Sequence, residues 1–257
     1  MAAKGVLVTR PAGQGDALCA SIRERGFCAH QLPLLVLEPL PELPAAQRSR
    51  VLALDEFDHI VFISANAVRF GMAVIENFWP QLPVGLNWYA VGDGTARVLA
   101  AFGVTAQTPG QDMTSEGLLA LPGLQSCAGE RVLLVKGEGG RDALARELAA
   151  RGARVETLAC YRRVPPALGP AEFTAALARW DIGMIMISSG EGLANMLTLL
   201  GPEETSKLRD VRVLLPSARV AEAATAAGFR QCRVAGNASD NAMLCALDAW
   251  VADTGDE

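Results

Sequence analysis

The sequence contains two similar stretches far apart in the chain, and this internal duplication is the feature that most constrains the fold. Residues 6–29 and residues 132–155 align without a gap, and identical residues recur in both, such as Gly26 and Gly152. Their separation far exceeds the repeat length of solenoid proteins, which is about 20 to 50 residues. The duplicated unit is therefore the size of a small domain. The sequence predicts two similar lobes, and we expect the functional site to lie between them.

Short aliphatic and β-branched runs alternate with amphipathic segments along the chain, which is typical of strands alternating with helices. The predicted strands cover residues 5–9, 28–32, 59–63, 88–91, 131–135, 154–158, 183–187, 211–215 and 231–235. The predicted helices include residues 16–26, 94–103, 141–152, 190–200 and 218–228. Strands and helices in this order form parallel sheets with helices on both faces. The sequence therefore predicts an α/β fold.

Two proline clusters, at residues 39–44 and 165–170, are the candidate linkers between the lobes. Only two strands and one helix precede the first cluster, which is about half a lobe. The first part of the chain must then complete its sheet with strands that follow the second cluster. We predict a discontinuous lobe 1 of residues 1–38 and 166–257, and an inserted lobe 2 of residues 39–165.

Composition excludes several classes of protein. The chain has 257 residues, of which 51% are hydrophobic, but no apolar run is long enough for a signal peptide or a membrane helix. Its six cysteines form no C-x-x-C pair and it has only two histidines, so we expect reduced thiols, no metal and a cytoplasmic location. A net charge of −5 with scattered basic residues argues against nucleic-acid binding. Anionic small molecules remain possible ligands because local groups can outweigh the net charge.

Known cofactor motifs are absent from the sequence. Residues 136–140 follow a predicted strand and open a helix, but Asp142 occupies the third glycine position of the dinucleotide motif G-x-G-x-x-G. The chain has no phosphate-binding P-loop, no H-E-x-x-H zinc motif and no G-x-S-x-G nucleophile motif. We therefore expect no cofactor.

The duplication continues at the points where strands end and helices begin. Residues 63–66 (ISAN) resemble residues 187–190 (ISSG), which predicts that Ser64 corresponds to Ser188. Thr95 is likewise predicted to correspond to Ser217. In an open parallel sheet this edge is where ligands bind.

Helix N-termini at that edge offer free N–H groups and a partial positive charge, which suit carboxylates and phosphates. Arg10 and Lys136 hold equivalent positions in the repeat, as two cations around an anionic ligand would. The alternative is that the serines and threonines only cap helices, and residues 188–191 have the S-x-x-E spacing of a capping box. The predicted ligand-binding residues are Arg10, Ser64, Asn66, Thr95, Ser115, Lys136, Ser188, Ser189, Ser217 and Arg219.

Nine short segments resemble the uroporphyrinogen-III synthase family, and together they cover essentially the whole chain. They are VTRP (8–11), ISANAV (63–68), AVGDGTA (90–96), TSEGLL (114–119), VKGEGGRD (135–142), CYRR (160–163), ISSGEGL (187–193), PSARVAEAATAAGF (216–229) and ASDNAML (238–244). Each is short, and their joint order and spacing carry the resemblance. Where the family commonly has an arginine this chain has Lys136, whose ammonium group lacks the fork that binds a carboxylate in a bidentate manner.

The resemblance implies two flavodoxin-like α/β lobes joined by a two-strand connection. It also implies a lyase of haem biosynthesis that acts on hydroxymethylbilane, a linear tetrapyrrole carrying an acetate and a propionate on every ring. The terminal hydroxyl leaves, and the resulting azafulvene attacks the substituted carbon of the last pyrrole. The spiro intermediate then fragments and recloses with that ring inverted, giving uroporphyrinogen III. No cofactor or metal takes part.

Tyr161, in the segment CYRR, matches the characteristic tyrosine of the family. The resemblance implies that it is the catalytic residue and donates a hydrogen bond to the departing hydroxyl. The alternative is that it packs at the linker with its hydroxyl satisfied. The resemblance also leads us to expect a monomer without nucleic-acid or membrane partners, in transient contact with the enzyme that supplies hydroxymethylbilane.

Two other classes of protein share this two-lobed architecture. An exported ligand receptor should carry a signal segment, and the start of the chain does not resemble one. A non-catalytic cytosolic binding or regulatory module for an anionic small molecule would look much the same. A regulatory module of this kind is expected to carry a DNA-binding appendage, yet the chain ends soon after residues 238–244.

Overall fold

The computed structural model describes residues 5–110, 114–139 and 142–254. Its strands are β1 (Gly5–Val8), β2 (Ala29–Gln31), β3 (Val36–Pro39), β4 (His59–Phe62), β5 (Asn87–Ala90), β6 (Arg131–Gly137), β7 (Arg154–Val164), β8 (Ile182–Met186), β9 (Arg212–Leu215) and β10 (Gln231–Val234). Its helices are α1 (Asp16–Glu24), α2 (Ala45–Leu52), α3 (Ala65–Glu76), α4 (Asp93–Ala100), α5 (Ser115–Leu119), α6 (Pro122–Gln125), α7 (Ala143–Ala150), α8 (Pro170–Arg179), α9 (Gly190–Lys207), α10 (Ala218–Ala226) and α11 (Asp240–Thr254). Each predicted strand and helix overlaps one of these elements, and the structure adds the strand β3.

The strands form two five-stranded sheets, with orders β10-β9-β8-β1-β2 and β3-β7-β6-β4-β5. In both sheets the neighbouring strands β1–β2, β1–β8, β8–β9, β9–β10, β4–β5, β4–β6 and β6–β7 pair in parallel. Numbered within its own unit, the first sheet has the order 2-1-3-4-5, which is the flavodoxin-like order. The predicted fold class is confirmed.

Each sheet is apolar on both faces, as parallel strands between two helix layers must be. In β1, Leu7 packs in one core cluster while Val6 and Val8 pack in another. In β4, Phe62 likewise packs in one cluster and Val61 in a second. These side chains are all at most 1% exposed. Two cores on opposite faces of one sheet hold its strand ends in fixed positions, which is what a binding site at the sheet edge requires.

The chain divides into one compact unit of Met1–Val36 and Val164–Glu257 and a second unit of Leu37–Arg163. It passes between the units within β3 and within β7, so the connection consists of two strands. Pro39, the first proline of the predicted linker at residues 39–44, ends β3, which is the edge strand of its sheet, where a missing N–H donor is tolerated. The domain boundaries at residues 38 and 165 stay a prediction.

The strand registers define which residues of the two units correspond. Ile60 of β4 pairs with Leu133 of β6, and Ile185 of β8 pairs with Leu7 of β1. Leu7 and Leu133 are equivalent in the repeat, so Ile60 corresponds to Ile185. Counting on from this pair, Ser64 corresponds to Ser189.

Two predicted equivalences are therefore wrong. Ser64 matches Ser189 and not Ser188, because both Ser64 and Ser189 are the N-cap residues of their helices. Ser217 matches Gly92 and not Thr95, since these two are the N-cap residues of α10 and α4. Alignment by residue identity alone placed these segments one to three positions away from the residues that correspond in the structure.

Within the described residues no helix is both long and apolar enough to cross a membrane, and no three His, Cys, Asp or Glu side chains are grouped as metal ligands. All six cysteines are free.

Candidate functional site

In the first unit the predicted residues follow three adjacent parallel strands at their carboxyl ends. Arg10 follows β1, Ser188 and Ser189 follow β8, and Ser217 follows β9. The backbone ladder continues past the strands, because the N–H of Thr9 donates to Met186 (3.3 Å). The order of the strands reverses between β1 and β8, and ligands of open α/β sheets bind at such a switch point.

The second unit repeats this arrangement. Lys136 is the next-to-last residue of β6, and Ser64 and Asn66 follow β4, the neighbouring strand. Tyr161 of β7 is in register with Gly137 of β6. The structure thus brings most of the predicted residues to the carboxyl edge of one sheet or the other.

Three of the predicted residues are less available to a ligand than the sequence suggested. Thr95 is 6% exposed, so a ligand would reach its hydroxyl only after local rearrangement. Ser115 lies in α5, a helix of one turn that packs on α6 and α7 and follows none of the strands at this edge. The Asn66 side-chain oxygen accepts a hydrogen bond from Arg69 Nη1 (3.1 Å). Arg219, by contrast, lies exposed in the first turn of α10.

Two of the predicted serines cap helices and a third does not. Ser64 Oγ accepts from the N–H of Ala67 (3.0 Å), and Ser189 Oγ accepts from the N–H of Gly192 (3.0 Å). Ser217 is the N-cap residue of α10, but its side chain makes no cap hydrogen bond. The capping alternative therefore holds for Ser64 and Ser189, whose O–H groups can still donate to a ligand.

We expect the two capping serines to contribute to the free energy of unfolding and Ser217 to contribute little. Ser64→Ala and Ser189→Ala each remove a helix cap, which should lower the free energy of unfolding by about 0.5–2 kcal/mol. Ser217→Ala removes no cap hydrogen bond and should leave the free energy of unfolding nearly unchanged. Urea unfolding of the three variants checks this. A destabilisation by Ser217→Ala equal to that of Ser64→Ala would contradict it.

Arg10 and Lys136, the two cations at equivalent positions of the repeat, are both paired with aspartates. Lys136 Nζ donates to Asp142 Oδ1 (2.8 Å), and this bond holds the pKa of Asp142 below its usual range. Arg10 forms an ion pair with Asp240 and also donates to the carbonyl of Ala238. The side chains of Asp142 and Asp240 are 69% and 41% exposed, whereas those of Lys136 and Arg10 are only 11% and 15% exposed. A ligand carboxylate at either cation must therefore compete with an exposed aspartate.

Tyr161 lies near the end of β7 and is 1% exposed, so a ligand would reach its hydroxyl, like that of Thr95, only after local rearrangement. Its ring stacks on Phe70 of α3, with centroids 5.0 Å apart. Its Oη accepts a hydrogen bond from Arg163 Nη2 (3.2 Å), and the guanidinium carbon lies 5.4 Å from the ring centroid. Gly137 lies so close to the ring that a Cβ there would be 2.6 Å from Cζ. The ring is thus held by contacts with β6, α3 and its own strand.

A β-bulge directs the Tyr161 side chain. Lys136 pairs with Ala159 and Gly137 pairs with Tyr161, so Cys160 is the extra residue of β7. Its Sγ lies 3.2 Å from the carbonyl oxygen of Lys136. Burial raises the pKa of the Cys160 thiol to about 12, so the group stays protonated and is not a nucleophile at neutral pH. Bulges next to functional sites re-aim side chains in this way.

Three residues around Tyr161 were not predicted from the sequence: Phe70, Gly137 and Arg163. Arg163 could have been predicted as a neighbour of Tyr161, because residues two apart in a strand lie on the same face. Phe70 and Gly137 come from other elements, and only the tertiary structure places them against Tyr161.

Comparisons with known proteins identify the family of this chain. The family model described as uroporphyrinogen-III synthase HemD matches residues 16–245. The uroporphyrinogen-III synthases of Escherichia coli and Salmonella typhimurium are each 34% identical, covering 94% of this chain and 99% of the relative. In fold, the chain is similar to a uroporphyrinogen-III synthetase from Helicobacter pylori (TM-score 0.62, 13% identity, 96% of this chain and 99% of that one). It is also similar to a mutant uroporphyrinogen III synthase from Thermus thermophilus (TM-score 0.59, 20% identity, 98% and 100%). The chain belongs to the uroporphyrinogen-III synthase family.

Proposed function

We propose that this protein is the uroporphyrinogen-III synthase of haem biosynthesis, a lyase that cyclises hydroxymethylbilane with inversion of the terminal pyrrole ring. The observation that carries the proposal is the match over nearly the full length of the chain to two synthases of that name. The position of Tyr161 at the carboxyl edge of its sheet supports it.

The substrate is a polyanion, and the edge residues supply the donors that it needs. Helices α3, α9 and α10 begin at these edges, where free N–H groups and the helix dipole favour carboxylates. The side chains that we assign to the substrate carboxylates are Arg10, Ser64, Asn66, Lys136, Ser188, Ser189, Ser217 and Arg219, with Thr95 and Ser115 as the members that need rearrangement. Hydrogen bonds to charged groups are each worth about 1.5–3 kcal/mol, so no single donor has to dominate.

The chemistry asks for little more than one proton donor and precise positioning. The C–O bond of the hydroxymethyl group breaks as the pyrrole nitrogen supplies its electron pair, and Tyr161 donates its phenolic proton so that water leaves. Carbon–carbon bond formation at the substituted position gives the spiro intermediate. After fragmentation and reclosure the last pyrrole loses its ring proton, which returns to Tyr161. The enzyme directs the attack chiefly by holding the linear tetrapyrrole in a folded conformation, which is catalysis by positioning.

Without the enzyme the linear tetrapyrrole closes by itself, but to the isomer in which the last ring is not inverted. Incubation of the protein with enzymatically generated hydroxymethylbilane should therefore give uroporphyrinogen III, resolved from the other isomer by chromatography. Heat-denatured protein is the control. If the native protein binds the tetrapyrrole but only the uninverted isomer forms, the non-catalytic binding module is correct instead.

The remaining expectations stand as proposals that accompany this function. Six free cysteines support a reducing compartment, which in the cell is the cytoplasm. We also propose that the protein is a monomer and that it contacts the enzyme supplying hydroxymethylbilane only transiently. Gel filtration with and without that enzyme tests both statements.

A further inference from the structure

The phenol of Tyr161 has a cationic neighbour on its own strand. Arg163 lies two residues further along β7, and its Nη2 lies 3.2 Å from Tyr161 Oη. A guanidinium group has donors and no acceptor, so the phenol oxygen must be the acceptor in this contact. The hydrogen atom of the phenol is therefore not used in this bond and stays available for donation to another group.

The neighbouring arginine shows how specific this placement is. Arg162 has the same type of side chain but lies on the opposite face of the strand. It forms an ion pair with Glu38, in which Nη2 lies 2.9 Å and Nε 3.1 Å from Oε2 of the glutamate. Of these two arginines, Arg163 is the one that contacts the phenol. Since alternate residues of a strand point to opposite faces, this difference follows from the position in β7 and not from residue type.

A cation that donates to the phenol oxygen has two effects on proton donation by Tyr161. Its hydrogen bond occupies a lone pair of the phenol oxygen, so the O–H bond points away from the guanidinium group. It also stabilises the negative charge that grows on Oη as the proton moves to the departing hydroxyl, which is electrostatic stabilisation of the transition state. The first effect prepares the proton transfer and the second stabilises its transition state, so both should appear mainly in kcat and not in substrate binding.

We propose that Arg163 is the positioning residue for the acid Tyr161: it orients the phenol and stabilises the charge that develops on its oxygen when water leaves. This inference rests on the proposed function. No further reactant is needed, because the proton passes from Tyr161 to the leaving hydroxyl and the last pyrrole later returns one.

The test compares Arg163→Ala with Arg162→Ala in steady-state assays on enzymatically supplied hydroxymethylbilane. A lost hydrogen bond to a charge, at about 1.5–3 kcal/mol, corresponds to roughly a 10- to 100-fold loss in kcat for Arg163→Ala, with KM nearly unchanged. Arg162→Ala should keep kcat near the wild-type value. Arg163→Lys keeps the charge and should recover part of the activity, and it also serves if the alanine variant does not fold.

A double-mutant cycle with Tyr161→Phe distinguishes this role from direct substrate binding. If Arg163 acts through the phenol, Arg163→Ala should cost little further activity once the phenol is gone. The proposal is overturned by a main effect on KM, by equal losses in the two backgrounds, or by unchanged kcat. Failure of the proposed function is a separate result, because the wild-type protein would then yield no uroporphyrinogen III.

Discussion

Tyr161→Phe should lower kcat at saturating hydroxymethylbilane by about 10²- to 10⁴-fold, the range typical of general acid catalysis. The variant loses only the phenol oxygen, and with it the hydrogen bond from Arg163. The phenylalanine ring keeps the stacking on Phe70 and the close contact with Gly137. The fold should therefore persist while the proton donor is absent. Steady-state rates measure the loss, and melting curves show that the variant is folded.

The matched controls are Ser64→Ala, Thr95→Ala and Ser217→Ala, each of which removes one hydroxyl at or near the strand ends. Each should cost less in kcat than Tyr161→Phe, because many donors share the binding of the carboxylates and water partly replaces a missing one. If Tyr161→Phe retains more activity than these variants, Tyr161 only packs in the core. Departure of the hydroxyl would then depend on the electron-rich pyrrole or on a bound water.

The sequence predicted the fold well because its signals are local. Alternating strand and helix patterns determine the element order, and short β-branched runs covered on both sides determine a parallel sheet. Strand β3 was not predicted, because its four residues include a glutamate and end at Pro39. They show neither alternation of apolar and polar residues nor enrichment in β-branched residues. The eleven-residue β7 was predicted only to residue 158, since its second half carries Arg162 and Arg163.

The sequence predicted the candidate site only in part, because the contacts that define it join distant elements. The edge residues could be predicted, since they directly follow strands. The pairing of Ser64 with Ser188 was wrong by one position, because sequence letters do not reveal strand register. The ion pair between Arg10 and Asp240 joins residues at opposite ends of the chain, and no periodicity indicates it.

The Gly137→Ala variant should be both less stable and much less active than the wild type. A Cβ on residue 137 would lie 2.6, 2.8 and 3.0 Å from Cζ, Cε2 and Cε1 of the Tyr161 ring. Such approaches are shorter than a carbon–carbon contact allows, and Phe70 and Arg163 also contact the ring. Overpacking of this kind costs about 1–3 kcal/mol of the free energy of unfolding. A ring displaced by about 1 Å also misplaces the phenol, which can reduce kcat by about 10²-fold.

Gly94→Ala is the matched control, because a Cβ there meets nothing within 4 Å and residue 94 lies in α4. The same substitution in an open helical position should be neutral or stabilise by about 0.5–1 kcal/mol. Two double variants then identify the cause of the loss at residue 137. With Tyr161→Leu, which removes the ring, Gly137→Ala should lose most of its effect on the free energy of unfolding. With Tyr161→Phe, which keeps the ring, the full cost should remain while kcat falls little further. An equal cost of Gly137→Ala beside leucine and beside phenylalanine would mean that the backbone of β6, and not the ring of Tyr161, requires the glycine.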